Sequence, residues 1–209
     1  MKDKDPNNIE VLLKHPEVRA ATNNTNQELI DRRKYVPPKC NVFKSPYILL
    51  KDDDRFNFNI DKEARKLLPH IIHNKVQALE GLGSPEESFI DRYCQKRHIG
   101  IVFSGSPAPG GHNVIAGLYD AAKKANPKTK IYGFLLGPDG IVENEAIEIT
   151  GTLVDAYRNL GGFTMIKTGR AKIDTKKKMN LSKATCKNLG LDALVIVGGD
   201  DSNTNAAFL

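Results

Sequence analysis

Tryptophan is absent from these 209 residues, aromatics make up 7%, and there are only three cysteines. No apolar run approaches the ~18 residues that a membrane-spanning helix needs. The opening MKDKDPNNIE is charged where a secretory leader would turn apolar. Cys40, Cys94 and Cys186 are odd in number, far apart and outside any CxxC spacing, which excludes a disulfide framework and predicts reduced thiols. His70 and His73 have i,i+3 spacing, yet no Cys or carboxylate cluster nearby completes a metal site. The few aromatics are not interleaved with Lys and Arg, so a nucleic-acid platform is not expected. A net charge of +6 suits a small polyanionic substrate instead. Together these absences predict a cytoplasmic protein with neither a membrane nor a nucleic-acid partner.

What is present is enough apolar residue, 40%, to build a core of one or two domains. Residues 1–98 read as an N-terminal extension, mainly helical or irregular and lying on another surface. Up to about Asn59 it is polar, with NNTNQ and KDDD runs and the pair Pro37 and Pro38. Short apolar groups occur at Val11–Leu13 and Ile48–Leu50. From Asp61 to Leu79 the spacing of Ala64, Leu67, Leu68, Ile71, Ile72, Val76 and Leu79 is helical, interrupted by Pro69. SPEES (84–88) reads as a helix start.

Residues 99–209 alternate short β-branched runs with amphipathic segments, which predicts βαβ units in an α/β fold: a Rossmann-like, doubly wound, mostly parallel sheet. Strands are predicted at Ile99–Phe103, Lys130–Leu136 and Ala193–Val197, and helices at Asn113–Ala125, Thr152–Leu160 and Leu181–Leu189. Three strands make an incomplete sheet. The predicted domain is therefore only the first part of one, with Leu209 about two turns into a helix begun by Ser202.

In such sheets ligands bind beyond the carboxyl ends of the strands. Two loops have that placement. SGSPAPGGHN (104–113) follows the first strand, and Gly105, Gly110 and Gly111 permit close backbone approach to an anion at a helix start. It is neither a Walker loop, because Gly111 and His112 stand where Lys and Ser/Thr would, nor a GxGxxG turn. GGDDS (198–202) follows the third predicted strand, and the paired carboxylates of Asp200 and Asp201 beside an anion site call for an intervening cation such as Mg2+. Ser202 or Asp201 is the expected helix cap.

SGSPAPGGHN, the GGF…KTGR segment (161–170) and GGDDSNTNA (198–206), in this order on successive βα loops, resemble the phosphofructokinase family and most closely its long, pyrophosphate-dependent branch. The resemblance implies reversible, Mg2+-dependent phosphoryl transfer from pyrophosphate to fructose 6-phosphate. It implies that Gly105 lies in the donor loop, that Arg170 contacts phosphate, that Asp200 is the metal ligand and that Asp201 selects the donor. ATP-using relatives carry glycine at the Asp201 position, where a carboxylate would obstruct and repel an α-phosphate. No catalytic residue is expected within this chain: the resemblance places the aspartate base and the sugar-phosphate ligands beyond Leu209. The chain alone is expected to be inactive, to need the remainder of the enzyme or a complementary chain, and to form a homo-oligomer. The alternatives are a non-catalytic binding or regulatory subunit of the same family and an ATP-dependent member. In the basic run Lys167, Arg170, Lys172 and Lys176–Lys178, the last three read as a solvated loop.

Overall fold

The computed structural model of the chain describes residues 27–55, 61–67, 69 and 72–209. The chain divides into two units, Met1–Tyr35 and Val36–Leu209. The described part of the first includes helix α1 (Gln27–Lys34).

In the second unit, a 3-10 turn at Asn41–Lys44 leads into β1 (Tyr47–Asp52), followed by α2 (Lys62–Leu67), β2 (Gln77–Leu82) and α3 (Glu87–Tyr93). β1 and β2 pair antiparallel from Tyr47↔Leu82 to Asp52↔Gln77, a sheet the sequence pattern does not announce. The helix expected over Asp61–Leu79 is observed only as α2, and Leu79 sits opposite Leu50 in the sheet. Proline at position 69 cannot continue a helix, and the following segment satisfies its backbone by pairing instead. Asp52 reinforces that pairing by accepting from Lys75 Nζ and Gln77 Nε2, both at 2.9 Å. The expected SPEES start is observed as α3, whose Phe89 and Tyr93 rings pack on Tyr47 with centroids 6.3 and 5.4 Å away. Val11–Leu13, Leu68, His70 and Ile71 lie outside the described residues, and His73 stands in a turn.

The rest of the unit runs β3 (His98–Phe103), α4 (Gly111–Ala125), β4 (Lys130–Phe134), α5 (Pro138–Val142), β5 (Ala146–Glu148), α6 (Gly151–Tyr157), α7 (Lys176–Asn188), β6 (Ala193–Val197) and α8 (Asp200–Phe208). The sheet order is β5-β4-β3-β6, with β3 parallel to both β4 and β6 and β5 antiparallel at the edge. This is the mostly parallel α/β sheet expected from the alternating pattern.

The near-continuous apolar character of β3 follows from its central place, because alternate side chains enter two different cores. Ile101 and Phe103 pack with Ile115 of α4 and Val154 of α6 on one face, whereas Val102 packs with Phe134 and Ile141 on the other. Burial of such side chains stabilises by about 1.5–3 kcal/mol each.

Element ends differ from the sequence pattern for local reasons. β4 stops at Phe134 because Leu136 and Gly137 turn through φ +60° and +81°. Lys176–Lys178 form the first turn of α7 and not a loop, because Thr175 Oγ1 accepts the Lys178 N–H at 3.3 Å and caps the helix early. Among the described residues no helix is long and apolar enough to cross a membrane.

Candidate functional site

From β3 the chain crosses to β4 on one side, whereas β6 returns to the other side of β3, so the loops leaving β3 and β6 diverge. Such a switch point opens a crevice at the carboxyl ends of the strands. An open pocket of ≈ 650 Å³ lies there, lined by residues 104–106, 170–172 and 198–202 among others. Gly105, Arg170, Asp200 and Asp201, far apart in sequence, all line it.

The first loop is held rigidly. Gly105 adopts φ +103°, a left-handed conformation that favours glycine. Its N–H donates to Gly169 O at 2.8 Å and its carbonyl accepts from Thr168 Oγ1 at 2.9 Å. Gly105 therefore offers the pocket its missing side chain and not its amide. Ser104 makes a parallel bridge to Gly169, so residues 168–170 continue the sheet beyond the end of β3 and project Arg170 at the pocket. There Arg170 Nη2 donates to Ser106 Oγ at 2.5 Å.

The second loop begins α8 earlier than expected. Gly199, and not Asp201 or Ser202, is the N-cap residue, which makes Asp200 the first helical residue. The Ser202 hydroxyl is diverted inward, where it donates to Ser104 Oγ at 2.8 Å and is 5% exposed. Gly198 has to be glycine for this contact: a Cβ would lie 2.5 Å from Ser202 Cβ and 2.6 Å from Ser104 O. The serine pair thus ties the β3 and β6 loops together and leaves both aspartates facing outward. Asp201 Oδ2 lies 3.5 Å from Lys172 Nζ. Among the described residues no three His, Cys, Asp or Glu side chains cluster as metal ligands.

His112, in the first turn of α4, is 3% exposed and joins the pocket's supports. Its backbone N–H donates to Gly162 O at 3.0 Å and its Nε2 accepts the Met165 N–H at 3.0 Å, so α4 is clamped to the segment that carries Arg170. Burial holds its pKa below the usual 6.5, with the Gly161 backbone partly offsetting that. The folded chain therefore binds this proton less readily than the unfolded one, and stability rises with pH across that window. The contribution is expected to be complete above pH ~6.5 and to be lost as pH falls below it. Urea unfolding between pH 5 and 7.5 checks this: His112→Gln, which keeps an acceptor for Met165, is expected to flatten the slope, and an unchanged slope removes His112 as its source.

The family resemblance draws attention to Arg170, and the placement of GGDDS after a strand to the aspartates, but neither points to their partners. Ser106 and Lys172 enter through the tertiary fold, and the Ser104–Ser202 tie joins positions 98 apart in sequence. The three cysteines are free thiols away from the pocket, and burial pushes the Cys186 thiol up.

Fold and pocket together define an α/β domain with an open crevice at its switch point. A family model described as Phosphofructokinase matches residues 98–209, and the chain belongs to that family. It is 50% identical over 112 residues to the Pyrophosphate--fructose 6-phosphate 1-phosphotransferase of Porphyromonas gingivalis, covering 54% of this chain and 20% of that one. It is 52% identical over 110 residues to the like-named protein of Entamoeba histolytica, covering 53% of this chain and 20% of that one. Subunit beta 2 of the Arabidopsis thaliana enzyme of that name is 39% identical over 172 residues, covering 82% of this chain and 30% of the relative. The chain thus spans 20–30% of the length of these relatives.

Proposed function

We propose that the polypeptide carrying these residues transfers a phosphoryl group from pyrophosphate to fructose 6-phosphate, giving fructose 1,6-bisphosphate and phosphate, and that this chain supplies the donor half of the site. The observation that carries this function is the convergence of Gly105, Arg170, Asp200 and Asp201 on one pocket. The names of the relatives give the donor and acceptor.

Within this scheme each side chain has a physical task. Arg170 presents a planar fork of donors to phosphate oxygens, with Ser106 limiting its freedom. Adjacent carboxylates without a third ligand suit Mg2+, which is usually held by one or two carboxylates and completed by water and phosphate oxygens. Asp200, with no ion-pair partner among the described residues, would hold it, whereas Asp201 faces Lys172. When bound, the metal neutralises charge developing on the transferring group. In this scheme the Asp201 side chain would obstruct the third phosphate of a longer donor. The base in this scheme belongs with the sugar ligands outside these residues. A cytoplasmic homo-oligomer, completed by the remaining sequence or a complementary chain, is part of the same proposal.

The test is product formation by the full polypeptide from pyrophosphate, fructose 6-phosphate and Mg2+, followed through fructose 1,6-bisphosphate. Absence of product overturns the proposal. In the same assay Asp201→Gly is expected to raise the ATP-to-pyrophosphate preference by about 10–100-fold, since removing the obstructing side chain relieves a clash that only the longer donor makes. Equal exclusion of ATP by both proteins removes that role from Asp201.

A further inference from the structure

The pocket poses an electrostatic problem. Its charged lining comprises Arg170, Lys172, Asp200 and Asp201, two cations against two carboxylates. A carboxylate at position 201 that repels a nucleotide's phosphates should repel pyrophosphate as well, because like charges act on both. Something has to separate the volume of Asp201, which discriminates, from its charge, which does not.

Lys172 is placed for that task, and its placement is not accidental to a loose loop. The next residue, Ile173, is 4% exposed and lines a small cavity with Val102 and Ile196 beneath the sheet end. The Lys172 carbonyl accepts from Lys178 Nζ at 2.9 Å, and Lys178 also reaches Asp174 at 3.3 Å. On the other side, Gly169 is bridged to Ser104. The backbone of Lys172 is therefore fixed from both directions at the pocket rim, with Nζ 3.5 Å from Asp201 Oδ2. Both side chains are more than half exposed, so their pairing contributes little to stability. Its consequence lies in the pocket.

We propose that Lys172 is a specificity-determining residue of the donor site: it cancels the charge of Asp201 while leaving its bulk in place, so that a short polyanion is accepted beside a carboxylate that still obstructs a longer one. The inference rests on the donor-site assignment made above. Without Lys172 the lining carries a net negative charge, and Asp201 then acts against every phosphorylated donor. With Asp201 also made neutral, the lining returns to balance.

The test is a double-mutant cycle read by calorimetric titration of pyrophosphate, with Mg2+, into the full polypeptide. Lys172→Met is expected to weaken binding about tenfold, the scale of one charge-assisted contact. Lys172→Arg, which keeps the charge, is expected to stay within about threefold of the parent. In an Asp201→Asn background the loss caused by Lys172→Met is expected to shrink to less than about threefold, because residues that act on each other are non-additive. Unchanged affinity in Lys172→Met overturns the inference, as does an equal tenfold loss in both backgrounds, which would mean that Lys172 acts without Asp201. If the parent itself fails to bind pyrophosphate, the donor-site assignment falls, and the inference with it. An unchanged melting temperature in Lys172→Met, with affinity lowered, separates this role from a structural one.

Discussion

Replacing Asp200 with Asn is expected to lower turnover by on the order of 10³-fold, comparable to losing a group that stabilises transition-state charge directly. The substitution is nearly isosteric and changes one property, the negative charge at the first residue of α8. Asp201 cannot substitute for it, because that carboxylate already faces Lys172. The structural cost is small. Asp200 is exposed and the helix is capped at Gly199, so what is lost is its favourable interaction with the helix N-terminus, about 0.3–1 kcal/mol. Turnover of the full polypeptide over a range of Mg2+ concentrations, with thermal unfolding in parallel, checks both halves. Activity within tenfold of the parent and an unaltered Mg2+ requirement would assign the metal to other residues.

Phe103→Ala is expected to cost about 3–5 kcal/mol in stability, the range for emptying a buried aromatic site. Phe103 has no solvent exposure, ends the central strand, and meets the Phe163 ring at 4.2 Å between centroids. Its loss opens a cavity between β3 and the segment leading to Arg170, in a core that also holds Ile101, Ile115 and Met165. Because folded domains are typically stable by only about 5–15 kcal/mol, a large fraction of the population is expected to unfold at moderate urea. The midpoint of urea unfolding measures it. A loss below 1 kcal/mol would show that the two faces close over the gap. Phe163 also lines the pocket, so donor affinity is expected to fall alongside stability.

Much of the sheet and most of the pocket are legible in the residue order. IGIVF reads as a buried strand, and KIYGFLL and ALVIV as strands beside it, because a parallel sheet covered on both faces needs apolar residues at consecutive positions. The site loops are visible because glycines and aspartates directly after such strands add nothing to the apolar core and sit where an open sheet receives its ligands. The antiparallel pair β1 and β2 is not legible: YILLKD and QALEGL are largely exposed, and their register depends on partners such as Asp52 and Lys75, 23 positions apart. A run of three lysines conceals the start of α7, since like charges near a helix N-terminus oppose its dipole and the cap at Thr175 outweighs them. The cap of α8 escapes for a related reason: Ser202 has the chemistry of a cap, but tertiary structure claims its hydroxyl for Ser104. Local rules fail here where a distant partner competes for the same polar atom.

The bonds that fasten Gly105 at both its amide and its carbonyl bear on the thermodynamics of ligand capture. A glycine-rich loop is ordinarily the segment with the most conformational freedom to surrender, about 1–2 kcal/mol per residue when it orders. At Gly105 that loss is incurred during folding, when Gly169 and Thr168 dock, and not when a ligand arrives. For the proposed donor site this means that an arriving anion would find Gly105 already ordered, so the enthalpy of its charged contacts would meet little opposing disorder from that residue.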